Sequence, residues 1–228
     1  MVVRNARPFL DQTRPRASSG DRPTQSERSA RSRSALLEAA ARGLSRYGYG
    51  NLVLEQVAVE AGYTRGALYH QFEDKEDLAL SVVKWVDQTW REEVGRLVEG
   101  EQDPVGALTA LARGHAIYCR RDVARVAIAL RLEFSGRDHP VGREVERISE
   151  TFIKRCTRLI EAGRRAGSIP SGPPARTVAL AFAGALEGTV IGLAGQAPHD
   201  ESLAARAALG VLGLDPIAVL ARQRGRAR

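Results

Sequence analysis

From Leu37 to Leu212 the apolar residues of this chain return every third or fourth position, and no stretch alternates apolar with polar in the period of a half-buried strand. A chain patterned this way has only helices with which to build a core, so the expected fold class is all-α, with about nine helices. Breakers punctuate the pattern at Gly48, Gly62, Asp103-Pro104, Ser135-Gly136, Gly167-Ser168 and the turn residues between Pro170 and Pro174. The 228 residues, 43% hydrophobic and 27% charged, suffice for one large domain or two smaller ones sharing a core. No repeat of 20 to 50 residues is visible.

The N-terminal helices carry their own start and stop signals. Thr24 and Glu27 stand at capping-box spacing and open a first helix that presents Leu37, Ala40, Ala41, Leu44 and Tyr47. Asn51 is placed to cap a short second helix burying Val57, Ala58 and Ala61, which Gly62 stops, and Thr64 to cap a third over residues 65–72. Asp74 and Asp77 open a long fourth helix whose stripe runs Leu78, Val82, Trp85 or Val86, Trp90, Val94, Leu97. Further helical stretches cover Leu108 to Tyr118, Val123 to Phe134 and Val145 to Leu159, then residues 177–197 and 201–212.

The formal charge of +7 suggests nucleic acid or an anionic surface as partner, yet its placement matters. Residues 1–33 hold eight arginines against three acids, and residues 216–228 hold four arginines and no acid. Between them lie 22 basic and 24 acidic residues, so the folded body is nearly neutral. Residues 1–23, rich in Arg, Pro, Ser and Gly, have the composition of a disordered arm, which either follows DNA phosphates or stays solvated. Residues 216–228 read as a basic tail. The N-terminus lacks the apolar core of a signal peptide, and Cys119 and Cys156 fit neither a disulfide scaffold nor a zinc module. Both are expected as buried, reduced thiols of a cytoplasmic protein.

The segment Leu54 to Phe72 meets the requirements of a helix-turn-helix: small Ala58 where two helices cross, Gly62 for a turn with positive φ, and Val57, Ala61 and Leu68 inside. A short helix held outward in this way fits a major groove, although an ordinary helical hairpin has the same geometry. The detailed residues decide between them. Gly43-Leu-Ser-Arg-Tyr-Gly-Tyr49, Val57-Ala58, Ala61-Gly62, Gly66-Ala-Leu-Tyr69, Phe72 and Lys75-Glu76 resemble the DNA-binding domain of the TetR family of transcriptional regulators, over about residues 36–80.

The resemblance implies a division of labour. Arg65, Gly66 and Ala67 would lie at the mouth of the recognition helix, with Arg65 able to bond guanine and Ala67 to touch a thymine methyl. Thr64, Tyr69 and Lys75 would hold phosphates, while His70 and Gln71 face the groove or its edge. Leu52 and Val53 stand where many relatives open the second helix with Thr or Ser. The expected division is 24–73 for DNA binding and 74–215 for ligand binding and dimerisation. The partners implied are double-stranded DNA with a palindromic operator, a small-molecule effector and a second copy of the chain, the whole acting as a repressor released by its effector.

For the effector, Trp85, His115, Tyr118, Arg131, Phe134 and Phe152 are candidate pocket residues, each with packing or surface pairing as the plainer role. His115 and Cys119 share a face but supply two ligands where a metal needs three or four, so no metal and no cofactor is expected. Residues 177–197 are long enough to span a bilayer, but Glu187 would cost about 3 kcal/mol at mid-span. Gly184, Gly188 and Gly192, every fourth residue, instead suggest a close helix contact, with no membrane: a dimer interface, or a neighbour within the subunit. No nucleophile, base or phosphate loop is assembled, so no enzyme is expected. The alternative is a small-molecule-binding or enzymatic helical protein whose helix-turn-helix is vestigial.

Overall fold

The computed structural model describes residues 24–226 except Ala194; the arm assigned to residues 1–23 lies outside the described residues. Ten helices and no strand are present among the described residues. Three belong to the N-terminal unit: α1 (Gln25–Tyr47), α2 (Leu54–Glu60) and α3 (Arg65–Gln71). The long α4 (Lys75–Trp90) passes through a π turn (Arg91–Gly95) into a last α turn (Arg96–Glu99). Then come α5 (Pro104–Tyr118), a 3-10 turn (Asp122–Arg125), α6 (Val126–Glu133), α7 (Pro140–Arg165), α8 (Ala175–Leu193), α9 (His199–Val211) and α10 (Pro216–Arg226). The tenth helix lies where the sequence suggested only a basic tail, because Pro216 suits a first turn and Val219 and Leu220 pack against the protein while Ile217 stays exposed.

Thr24 accepts from the Glu27 amide at 3.2 Å while the Glu27 carboxylate accepts from the Thr24 amide at 2.6 Å, the reciprocal box that starts α1. The expected cap at Asn51 is absent. Its amide turns back to donate to the Tyr47 carbonyl at 3.1 Å, and α2 begins after Val53 with no side-chain cap. Gly62, at φ +77°, closes the turn between α2 and α3, with the Tyr63 amide donating to the Ala58 carbonyl at 2.9 Å.

The π turn in α4 changes which residues face inward. One extra residue in a turn rotates everything beyond it, so the buried stripe runs Val82, Val86, Val94, Val98 and leaves Leu97 half exposed. The stripe read from the sequence ended on Leu97 because a regular helical period was carried through a segment that is not regular.

Two apolar cores result. In one, Leu36, Leu44, Leu68 and Phe72 of the N-terminal unit pack with Leu78 and Val82 of α4, with Val126 and Leu130 of α6 and with Val141 of α7. In the other, Leu108 and Leu111 of α5, Ile160 of α7, Phe182 and Leu186 of α8 and Leu209 of α9 pack together. Each such side chain contributes about 1.5–3 kcal/mol on burial. The first core crosses residue 73 without a break, so α4 and α6 form the floor of the helix-turn-helix as well as part of the C-terminal helical unit. Arg120, in the turn after α5, joins Asp200 in α9 through two bonds of 2.8 Å, which hold the Asp200 carboxyl below the usual carboxylate range.

Candidate nucleic-acid interface and effector cavity

The helix α3 is seven residues, about 10 Å long. It buries Leu68 on one side and exposes Thr64, Arg65, Gly66, Tyr69 and His70 on the other, with Ala67 half-buried between. Positions 65, 66, 69 and 70 fall on one helical face, so the residues nominated for base and phosphate contact are presented together. The Thr64 hydroxyl caps the helix by accepting from the Ala67 amide at 3.2 Å.

Arg65 is held in place by its neighbours. Its Nε lies 3.1 Å from Glu55 in the first turn of α2, and its guanidinium sits 5.3 Å from the centre of the Tyr69 ring. An exposed pair of this kind is worth at most about 1 kcal/mol, so it orients the guanidinium without locking it.

Two of the nominated residues are engaged inward. Gln71 donates from Nε2 to the Ser29 hydroxyl at 2.9 Å, and its carbonyl accepts from Arg33 at 2.9 Å. The Lys75 ammonium donates to the Gly50 carbonyl at 2.9 Å and lies 4.9 Å from the Tyr49 ring centre. Arg33 also reaches Ser81 and covers Phe72 at 4.5 Å, so this arginine, counted among the N-terminal charges, pins the far end of α3 to α1.

Glu133, which flanks Phe134 in the sequence as a candidate pocket residue or a surface or interhelix charge, stands at the end of α6. Its two carboxylate oxygens accept from the amides of Tyr49 and Gly50 at 2.6 and 2.7 Å, gripping the loop between α1 and α2. Gly48, at φ +74°, makes this possible: a Cβ there would stand 2.6 Å from the carboxylate. The Gly50 peptide is thus held at both ends, its amide from α6 and its carbonyl from α4. The contact joins residues more than 80 positions apart, and no local signal marks it.

Below this junction a cavity of about 810 Å³ opens among α4, α5, α6, α7 and α8. Four of the six nominated residues line it: His115, Tyr118, Arg131 and Phe152. Trp85 does not. The cavity face of α4 carries Val83, Val86, Asp87 and Trp90, and Trp85 lies more than a quarter turn off that face, packed against the first core. Phe134 does not either: α6 has ended, and the ring turns to Tyr49 at 5.3 Å and stacks on His139 at 4.4 Å.

Trp90 replaces Trp85 in the wall. Its indole donates to His115 Nδ1 at 3.1 Å, which leaves the ring proton on Nε2, facing Cys119 Sγ at 3.7 Å. Burial lowers the His115 pKa to about 4, so the ring is neutral, and pushes the Cys119 and Cys156 thiols up to about 12. Arg131 of α6 bonds Glu187 of α8 in the same wall, two residues from Glu133.

One face of α8 exposes Leu180, Gly184, Gly188, Ile191 and Gly192, of which Leu180 and Gly184 also border the cavity. A Cβ added at any of the three glycines would meet nothing within 4 Å, so no helix of the same subunit occupies the groove they form. The helix is long and apolar enough to cross a membrane by length and composition, but Phe182, Leu186 and Val190 on its other side are buried in the protein.

Residues 36–82 match the model for bacterial regulatory proteins of the tetR family. Over 134 residues the chain is 31% identical to the HTH-type transcriptional regulator HbdR of Aromatoleum sp. (strain CIB), an alignment covering 58% of this chain and 55% of that protein. The chain thus spans about half the length of that relative. Among solved structures, it is similar to SCO4454, a TetR-family transcriptional regulator from Streptomyces coelicolor, with a TM-score of 0.66 and 22% identity over 80% of this chain and 95% of that one. It is also similar to the transcriptional regulator FadR from Bacillus subtilis in complex with stearoyl-CoA, with a TM-score of 0.62 and 20% identity over 79% of this chain and 95% of that one.

Proposed function

We propose that this chain, whose residues 36–82 match the model for bacterial regulatory proteins of the tetR family, is a cytoplasmic homodimeric repressor of that family that leaves its operator when a small molecule fills the cavity. The observation that carries this reading is the pair of grips on the α1–α2 loop. Lys75 holds the Gly50 carbonyl from α4, Glu133 holds its amide from α6, and both helices also wall the cavity. A ligand that moves either helix therefore moves the frame on which α3 stands.

Dimerisation would join the outer faces of α8 and α9, where Gly184, Gly188 and Gly192 permit close approach, and would set the two recognition helices on half-sites about 34–36 Å apart. Arg65 and Ala67 would read base edges, with Gly66 letting the backbone come close; Thr64, Tyr69 and Lys75 would meet phosphates, and His70 the groove edge. Gln71, turned to Ser29, would act through the position of α3. The basic arm of residues 1–23 would add salt-sensitive, sequence-blind attraction. Nothing in this reading calls for catalysis.

Random-oligonucleotide selection with the purified full-length protein tests it. Enrichment of a palindrome is expected, with Tyr69→Ala weakening binding to all enriched sequences and Arg65→Ala relaxing one position in each half-site. Absence of any enriched sequence would refute a DNA-reading role and favour the small-molecule protein with an idle helix-turn-helix.

A further inference from the structure

The wall of the cavity holds eight charged residues, and pairing them off leaves an imbalance. Asp87 bonds Arg91, Glu187 bonds Arg131, and Glu150 is held by Arg176 at 2.8 Å and by Lys154 at 3.8 Å. Three remain without a charged partner among the described residues: Arg155, Arg158 and Glu146. Arg155 and Arg158 are three residues apart on one face of α7, whereas Glu146 is exposed and lies nine residues back, about 14 Å along the axis.

Neither arginine is well satisfied within the protein. Arg155, half-buried, donates once, at 3.5 Å, to the Gly95 carbonyl in the π turn of α4, and Arg158 donates once, at 3.4 Å, to the Lys154 carbonyl. Both distances are at the outer limit for a hydrogen bond, and a guanidinium has five donors to place. Towards the N-terminus of α7 the same wall turns apolar, through Phe152, Ile148 and Val145, with Trp90 meeting Phe152 edge to face at 5.8 Å. The surface therefore grades over about 15 Å from two unpaired cations to an apolar trough.

We propose that the cavity binds an anionic amphiphile, its apolar body along Val145, Ile148, Phe152 and Trp90 and its carboxylate or phosphate head on Arg155 and Arg158. The inference rests on the reading of the cavity as the effector site and gives that effector a chemical class. A neutral ligand of the same shape leaves the half-buried Arg155 guanidinium with its single long bond, while the exposed Arg158 keeps its water, and a cation meets two charges of its own sign. The same head supplies a route for the signal. An anion bonded to Arg155 competes with the Gly95 carbonyl, which releases the π turn of α4 from α7, and α4 begins at Lys75. The bidentate geometry available from a guanidinium makes Arg155 the specificity determinant and Arg158 a second charge at the mouth.

Titration calorimetry of the full-length protein with four ten-carbon probes separates the possibilities: decanoate, decyl phosphate, decanol and decylammonium. One or both anions should bind at least tenfold more tightly than decanol and decylammonium, and which anion binds tighter distinguishes a carboxylate from a phosphate head. Arg155→Met should cost the anions tenfold or more in affinity and leave decanol unchanged, with Arg155→Lys between the two. In hydrogen exchange, the bound anion should speed the amides of the π turn in wild type and not in Arg155→Met. Equal affinity for decanol or decylammonium, no binding of either anion, or an unchanged affinity in Arg155→Met would each overturn the proposal. Binding of the anions without release of a selected operator fragment refutes the effector reading and leaves the ligand class standing. Release by decanol alone does the reverse.

Discussion

Replacing Glu133 by Ala removes the carboxylate that accepts from the Tyr49 and Gly50 amides at 2.6 and 2.7 Å. A hydrogen bond to a charged acceptor contributes about 1.5–3 kcal/mol. The bond to Tyr49 is partly buried and falls within that range, whereas the Gly50 amide is exposed and recovers most of its loss from water. The substitution should therefore cost about 2–3 kcal/mol, and Glu133→Gln about half as much, since its amide oxygen answers one donor while its NH2 meets the other. In a chain of this size that corresponds to a fall in Tm of about 4–12 °C. Urea denaturation of the full-length protein at fixed concentration measures the global loss.

Hydrogen exchange locates that loss. Exchange of the Tyr49 and Gly50 amides should speed roughly 30- to 150-fold, the factor equivalent to 2–3 kcal/mol, while amides in the second core, around Leu111 and Phe182, are unaffected beyond the global change. If Glu133→Ala unfolds within about 0.5 kcal/mol of wild type and leaves these two amides protected, then α6 does not hold the helix-turn-helix, and the coupling drawn between cavity and DNA loses one of its two supports.

Two further outcomes are expected. Gly188→Leu fills the open groove on α8 and raises helix propensity by about 1 kcal/mol, so light scattering should find a folded monomer in place of the dimer; a folded dimer would place the interface elsewhere. His115 has its pKa lowered from 6.5 to about 4 by burial, so between those values the unfolded chain binds the proton and the folded one does not. Its contribution is complete above pH 6.5 and is lost as pH falls towards 4, by at most about 3 kcal/mol, less to the extent that water fills the cavity. His115→Gln should flatten the stability profile over that window; an identical slope in the two proteins would show that the ring titrates freely.

What could be read from the sequence is what neighbouring residues decide among themselves. Thr24 with Glu27, Thr64 with Ala67, and Gly62 in its turn each involve groups no more than a few residues apart, and each formed as their spacing implied. The pocket was half legible: an apolar stripe tells which side of a helix is buried without telling against what. Trp85 and Trp90 are both half-buried on α4 but project about 140° apart, so one packs beneath the helix-turn-helix and the other enters the cavity. Phe134 was lost for the opposite reason, since its helix stops one residue before it. Glu133 on Gly50 and Arg33 on Gln71 join segments far apart in the chain, and an isolated Glu or Arg in a helix looks the same whether it is solvated or holds a loop.

Lys75 shows why this matters for assigning DNA contacts. Its ammonium serves the Gly50 carbonyl and the Tyr49 ring, so Lys75→Ala weakens operator binding whether or not the side chain ever meets a phosphate. A loss of affinity in itself is therefore uninformative. The salt dependence separates the two roles, because a phosphate contact releases a counterion and a loop contact does not. If Lys75 binds phosphate in each half-site, removing it should lower the slope of log K against log salt by about 2 for the dimer, the contribution of two phosphates. If it only positions the loop, the affinity should fall at every salt concentration by the same factor, and a Glu133→Ala variant should fall in parallel with it. Tyr69→Phe supplies the reference, since it removes an uncharged contact on the exposed face of α3 and should leave the slope at its wild-type value. A Lys75→Ala slope equal to that of Tyr69→Phe would therefore remove Lys75 from the interface and return it to the fold.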